Sequence, residues 1–346
     1  MRNFFSKLNL YRQRKEESSS PPNTDENISP RLKQSRRWQV MDSTFQWKLA
    51  LVLVLFLAAI ANVPAKAQGP SPTPPAAQED INDTEAFFRR DKEAQVPIIM
   101  YHLVTENTRY QGKHGISPAE LKSDLQYLKD NDYNTIVIQD LINFVEKGKN
   151  LPKNPIVLTF DDGNASDHKY LFPLLQEFEM KAVISILGKT TDEITQQQAE
   201  NPSATYPNLT WGQVIEMHKS GIVEVQSHGY NVHGKAGSGK LRKESGPAYH
   251  QRLSEDLQKL QDRCQEHLGS KPTTFCYPLG IISKGSHAVL EELGFVASLS
   301  CQEGMNIIKQ GDNSCLLKLN RVNRASGRSI SSILEGLQKK AEKTKA

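Results

Sequence analysis

Residues 155–163 read Pro-Ile-Val-Leu-Thr-Phe-Asp-Asp-Gly, PIVLTFDDG. An unbroken apolar and β-branched run bounded by Pro155 and an Asp-Asp-Gly turn describes a strand buried on both faces, as strands of a helix-covered parallel sheet are. Two adjacent carboxylates at a strand end point in different directions, so one can hold a cation while the other takes a proton. Gly163 lets the chain turn away. Taken alone, Asp-Asp-Gly is also ordinary loop chemistry.

Outward from this run, short β-branched stretches alternate with helical patterns. Strands are expected at Pro97–Tyr101, Thr135–Ile138, Ile156–Phe160, Ala182–Leu187, Val223–Ser227, Thr273–Tyr277, Val296–Ser300 and Leu316–Leu319. Ser117-Pro118-Ala119-Glu120 is a capping box with proline at the first helical position, feeding Leu121, Leu125 and Leu128 at helical spacing. Thr210 to Gln213 is a second box. Leu253, Leu257, Leu260, Cys264 and Leu268 form an apolar stripe that stops at Gly269, and Leu290 with Leu293 leads to a stop at Gly294. This alternation predicts an α/β domain, a distorted (β/α) barrel of about seven or eight parallel strands. An open doubly wound sheet is the alternative, and no phosphate-binding glycine fingerprint supports it.

The chain has 346 residues, 37% hydrophobic and 24% charged, which excludes a disulfide mini-protein and a multi-span membrane protein. Its net charge of +4 resides in the leader: residues 1–67 carry eleven Lys or Arg against five acids, a net of +6, which leaves the remainder at −2. A nucleic-acid partner is therefore not expected. Leu49 to Ala61, LALVLVLFLAAIA, follows Lys48 and precedes Ala65-Lys66-Ala67, an A-x-A site. The run is short for a bilayer span and reads as a signal peptide cleaved after Ala67. The long basic lead favours two alternatives, an uncleaved anchor or a true start at Met41. Each version places the residues after Ala67 outside the cytoplasm. The expected organisation is a basic segment 1–48, a signal or anchor 49–67, a Pro-rich linker 68–95 and a catalytic domain 96–346.

Ligands in parallel α/β folds gather at the C-terminal ends of strands. Val223–Ser227 runs into His228-Gly229-Tyr230-Asn231-Val232-His233, two imidazoles at one strand exit. With a strand-end carboxylate these make a two-His-one-carboxylate site of the hydrolytic zinc type. Phe275-Cys276-Tyr277-Pro278-Leu279-Gly280 is a rigid turn whose backbone N–H groups can face that site, and Tyr101-His102 ends the first strand on the same face.

PIIMYH, TFDDG, SHGYNVH and YPLG, in this order, resemble the polysaccharide deacetylases of carbohydrate esterase family four, over about residues 96–338. The similarity is to the bacterial branch that opens with a P-x-x-M-Y-H strand. It implies a NodB-homology fold, Asp161 as general base, and Asp162, His228 and His233 as ligands of one divalent cation, Zn²⁺ with Co²⁺ or Ni²⁺ as substitutes. Backbone N–H near Leu279 would polarise the acetyl carbonyl, with Tyr277 and His102 as further substrate or oxyanion groups. The implied activity is removal of N-acetyl groups from N-acetylglucosamine residues of a cell-wall or extracellular polysaccharide, the membrane being touched only through the N-terminal apolar segment.

The sequence departs from the family's fuller motif set. Cys276 stands where an arginine orients the base, Leu279 where a tyrosine stands, and the late leucine-x-histidine motif that supplies the general acid is replaced by Leu317-Lys318-Leu319-Asn320-Arg321-Val322-Asn323-Arg324. The acid role then falls to His102, or to Asp161 returning the proton it took. These gaps motivate two alternatives: an inactive metal-containing glycan-binding module, and an O-acetyl esterase, whose better leaving group needs less acid help. The cysteines Cys264, Cys276, Cys301 and Cys315 sit in an exported domain where disulfides are allowed, and sequence does not choose among their three pairings; Cys264 reads as core, and Cys276 and Cys301, on consecutive strands, can be close but read first as buried free thiols. Gly234 to Ser245, GKAGSGKLRKES, is a basic loop directly after His233 and reads first as solvated.

Overall fold

Proline, β-branched runs and capping residues cut the chain into alternating strands and helices. The computed structural model describes residues 92–205 and 207–345; the basic leader, the apolar run 49–67 and the linker before Lys92 lie outside the described residues. Among the described residues no helix is long and apolar enough to cross a membrane.

The strands are β1 (Glu93–Val96), β2 (Ile98–Tyr101), β3 (Leu103–Val104), β4 (Gly115–Ile116), β5 (Asn134–Ile136), β6 (Pro155–Asp162), β7 (Ala182–Ile186), β8 (Val223–Ser227), β9 (Thr274–Cys276), β10 (Ala297–Leu299), β11 (Asn306–Lys309) and β12 (Val322–Asn323). The helices are α1 (Pro118–Asp130), α2 (Ile138–Lys147), α3 (Phe172–Phe178), α4 (Gly188–Glu200), α5 (Trp211–Lys219), α6 (Gly246–Leu268), α7 (Ser286–Glu292) and α8 (Ile330–Lys345). One curled parallel sheet runs β10-β9-β8-β7-β6-β2-β12, with β5 pairing the first residues of β6. A single bridge between Leu299 and Leu319 draws its two ends together. This is the NodB-type distorted barrel.

Both capping boxes form. Ser117 and Glu120 exchange side-chain-to-backbone bonds at the start of α1, and Thr210 and Gln213 do so at α5, each worth about 1 kcal/mol. Period-two alternation sorts the core. Ile99, Tyr101, Leu158, Phe160 and Ile184 face Leu121, Leu125, Phe172, Trp211, Ile333 and Leu334 of the helices. Ile98, Val157 and Val183 project to the other side, beside α2 and β10. Thr159 and Asp161 share the parity of Val157, so the first carboxylate of PIVLTFDDG points into the sheet's interior.

Three sequence expectations need correction. Glu93, Ala94 and Gln95 belong to the fold, not the linker: β1 pairs antiparallel with β11, Glu93 opposite Lys309. That register joins residues some two hundred apart and leaves no mark in the short polar string EAQV. The strand expected at Leu316–Leu319 is a short 3₁₀ turn, Asn313–Leu316, followed by Lys318 at φ 58°, a left-handed residue no strand accommodates; the closing strand is β12. The expected Thr135–Ile138 strand ends at Ile136, because the Asp140 carboxylate accepts from the Val137 N–H and opens α2.

Candidate active site

Asp161 and Asp162 end β6, His228 follows β8, and the Tyr277–Gly280 turn follows β9, so sheet order alone brings them to one rim. Asp162 adopts φ 76° and Gly163 φ 63°, a reversal that swings the second carboxylate off the strand's alternation. Asn208 secures the turn by donating its Nδ2–H to the carbonyls of Asp162 and Gly163, at 3.3 Å each.

Asp162 Oδ1 lies 3.4 Å from His228 Nε2 and 3.4 Å from His233 Nε2. The same oxygen is buried without a hydrogen-bond partner. Four ligands placed tetrahedrally about 2.0–2.1 Å from zinc stand about 3.3–3.4 Å from one another, so both Asp162–histidine distances match edges of such a site, and all three atoms lie within 4.8 Å of one another. His228 is fully buried, and its Nδ1 lies 2.9 Å from the Cys276 carbonyl, which fixes Nδ1 as the protonated nitrogen and leaves the Nε2 lone pair free. Burial raises the Asp162 carboxyl, and the neighbouring His228 outweighs it, so the group is held below its ordinary value.

Asp161 has a different environment. The Arg321 guanidinium grips it in a fork, Nη1 to Oδ1 and Nη2 to Oδ2 at 2.8 Å each, with both side chains buried. Arg321 also donates from Nε to the Ser300 carbonyl and from Nη1 to Thr159 Oγ1. Burial pushes the Asp161 carboxyl up; the Arg321 charge, then that of His228, hold it well below the carboxylate range. Cys276 Sγ sits 3.4 Å from both carboxylate oxygens. Asp161 thus has an arginine partner, supplied from the segment before β12 rather than from the Cys276 position.

His102 lies partly buried beside the pair. Burial lowers its pKa, and the Asp161 and Asp162 charges pull it back up; Nδ1 has no partner. Its ring meets His114 edge to face, centroids 4.7 Å apart. His114 was not singled out in the sequence, because it precedes a two-residue strand with no β signature. Leu279 turns the chain at φ 59° with its side chain exposed. Tyr277 is a correction: its ring is buried against Phe275 and its hydroxyl lies 3.0 Å from Ser286 Oγ, so it packs the core under α6 and α7 and does not reach the carboxylates. The alternation of β9 explains this, since Cys276 takes the inward parity. All four cysteines are free; burial pushes the Cys264 thiol up to about 12.

Residues 148–298 match the polysaccharide deacetylase family. This segment carries a polysaccharide deacetylase domain. The deacetylase match holds Asp161, Asp162, both histidines and the Cys276 turn, and ends before Arg321. Among proteins it resembles is the poly-beta-1,6-N-acetyl-D-glucosamine N-deacetylase of Escherichia coli, 26% identical over 235 residues, which are 62% of this chain and 35% of that one. The chain thus spans about a third of the length of that relative. Bacillus subtilis YxkH is 25% identical, covering 80% of this chain and 91% of the relative. A de-N-acetylase from Aggregatibacter actinomycetemcomitans superposes with a TM-score of 0.61 at 26% identity, covering 70% of this chain and 99% of that one. IcaB from Ammonifex degensii, at 21% identity and TM-score 0.56, shares the fold over 70% of this chain and 96% of its own.

Proposed function

We propose that this protein is a divalent-cation-dependent hydrolase that removes N-acetyl groups from N-acetylglucosamine residues of a cell-wall or extracellular polysaccharide. The observation that carries the reading is one rim holding two carboxylates in opposite circumstances: Asp162 converging with two imidazoles at 3.4 Å, Asp161 locked ionised by Arg321. A zinc-type cation held by Asp162, His228 and His233 would supply Lewis-acid polarisation of water and of the acetyl oxygen. Asp161 accepts the proton of the attacking water; Arg321 keeps it charged and fixes the plane of its lone pairs. Backbone N–H near Leu279 donates to the oxygen on which negative charge develops. The departing amine takes its proton from His102, whose lowered pKa makes it a ready donor once charged, or from Asp161. Residues 49–67 export the domain as a signal or hold it at the membrane as an anchor.

The test is acetate release from poly-N-acetylglucosamine, chito-oligosaccharides and peptidoglycan by the full chain after chelation, with and without Zn²⁺ or Co²⁺. Turnover should disappear with the chelator and return with metal, and Asp161→Asn should be inactive at unchanged metal content. No acetate from any of these with metal restored counts against the activity, and faster release from O-acetylated glycans reassigns it as an esterase.

A further inference from the structure

The loop 234–245 carries Lys235, Lys240, Arg242 and Lys243 against one acid, Glu244, in a chain whose residues after Ala67 sum to −2. Glu244 is already committed: it accepts from Arg252 Nε at 2.7 Å and from the Leu241 N–H at 2.8 Å. None of the four cations lies within 4.0 Å of a carboxylate among the described residues. Like charges so placed repel, yet the loop is pinned. Ser238 Oγ donates to the Ile281 carbonyl, Tyr249 hydroxyl to the Ser238 carbonyl, and the Lys240 N–H to Ser283 Oγ. At Gly237 (φ 52°) a Cβ would stand 2.6 Å from the Pro278 carbonyl, so the backbone lies directly on the Tyr277–Gly280 turn.

The loop therefore bridges two parts of the active-site rim, starting at His233 and resting on the turn that holds Leu279. Three of the four exposed large apolar side chains among the described residues, Leu241, Leu279 and Ile282, lie on these two segments, and Lys284 follows on the second. Resting on the proposed activity, we infer that this surface binds an acidic polysaccharide, a strand in which carboxylate-bearing sugars accompany the N-acetylglucosamine presented to Asp161 and Asp162. The lysines take carboxylates spaced along the strand, since an ammonium is a point charge without the fixed fork of an arginine. The aliphatic side chains meet the C–H faces of the sugar rings. Seating the same face on a bilayer would close the mouth at His233 and Leu279 through which a polymer must enter, which favours a glycan strand over a lipid surface.

The test is binding of fluorescent hyaluronan oligosaccharides, the anionic probe, and chito-oligosaccharides, the neutral one, to the full chain and to a Lys235→Gln/Lys240→Gln/Arg242→Gln/Lys243→Gln variant. Hyaluronan affinity should fall roughly tenfold in the variant, and by a similar factor for the unaltered chain between about 0.05 and 0.5 M salt, about what four exposed charge pairs contribute. Chito-oligosaccharide binding and turnover should stay level. The salt series needs no variant, so a misfolded variant leaves the inference testable. Hyaluronan binding that ignores both salt and substitution overturns it. So does a variant that loses only its added affinity for vesicles containing phosphatidylglycerol over pure phosphatidylcholine, which assigns the face to lipid. Binding needs no turnover, so an inactive protein that binds hyaluronan in this manner refutes the proposed activity and leaves the acidic-glycan surface standing.

Discussion

Replacing Arg321 by Met removes the cation that pairs with Asp161 while leaving a side chain that fills part of the space. Both partners are buried, and the guanidinium makes five hydrogen bonds, two to the carboxylate and one each to Ser300, Thr159 and Cys301. Breaking a buried pair on one side leaves an uncompensated charge, a loss of about 3–5 kcal/mol read as a lower urea midpoint. The sign of the pH dependence changes as well. In the unaltered protein Asp161 lies below its unfolded value, so its stabilisation is complete above the unfolded pKa and is lost as pH falls through the folded one. In Arg321→Met burial, the largest influence on this group, is opposed only by the histidines; the carboxyl rises, and acid then costs the variant less stability than it costs the parent. The acid limb of kcat/KM moves to higher pH for the same reason. Adding Asp161→Asn to Arg321→Met should return about 1–3 kcal/mol, since the orphaned charge is gone. An Arg321→Met protein within about 1 kcal/mol of the parent, with an unmoved acid limb, would refute the view that this ion pair holds the base.

Other parts of the molecule give four further expected outcomes. His228→Ala and His233→Ala should each lower zinc content and activity together, by metal analysis and acetate release, whereas His218→Ala and His267→Ala, on α5 and α6, should change neither. Glu120, raised by burial but lowered to about 2 by hydrogen bonds from Ser117 and Gly327, stabilises the fold above its unfolded pKa and loses that effect as pH falls from about 4.5 to about 2. Glu120→Gln should flatten that stretch of the melting curve against pH and cost roughly 1–2 kcal/mol at pH 7, the full linkage value being reduced because the carboxylate stays partly exposed to water. Tyr277→Phe should cost about 1 kcal/mol, through its contact with Ser286, and leave kcat and KM in place. His102→Gln should lower kcat roughly a hundredfold at nearly constant KM, and equal kcat values would remove His102 from proton transfer.

The convergence of Asp162, His228 and His233 was legible because its signals are local. A strand that ends in Asp-Asp-Gly, a second that ends in two histidines, and capping boxes at Ser117 and Thr210 each reside within a few residues of chain, where period-two alternation and helix-end hydrogen bonding act. The same locality misled at Tyr277, where a residue after a strand faced the core instead of the rim, and at Leu316–Leu319, where Lys318 takes a left-handed conformation that leucines on either side do not announce. His114 and Asn208 were invisible because each acts from a connecting segment.

By itself the sequence determined the alternation of strands and helices, the places where they stop, and which residue types gather at strand ends. Only the tertiary structure decided that β2 lies between β6 and β12, a neighbourhood that carries Arg321 to Asp161 across 160 residues of chain. In the sequence Arg321 is one of several basic residues in a polar stretch, and Cys276 looks like the loss of an arginine partner for Asp161. Burial makes the difference: a carboxylate withdrawn from water must find a cation wherever the sheet brings one, and sheet order is set by the summed packing of every strand and helix rather than by residues beside Asp161.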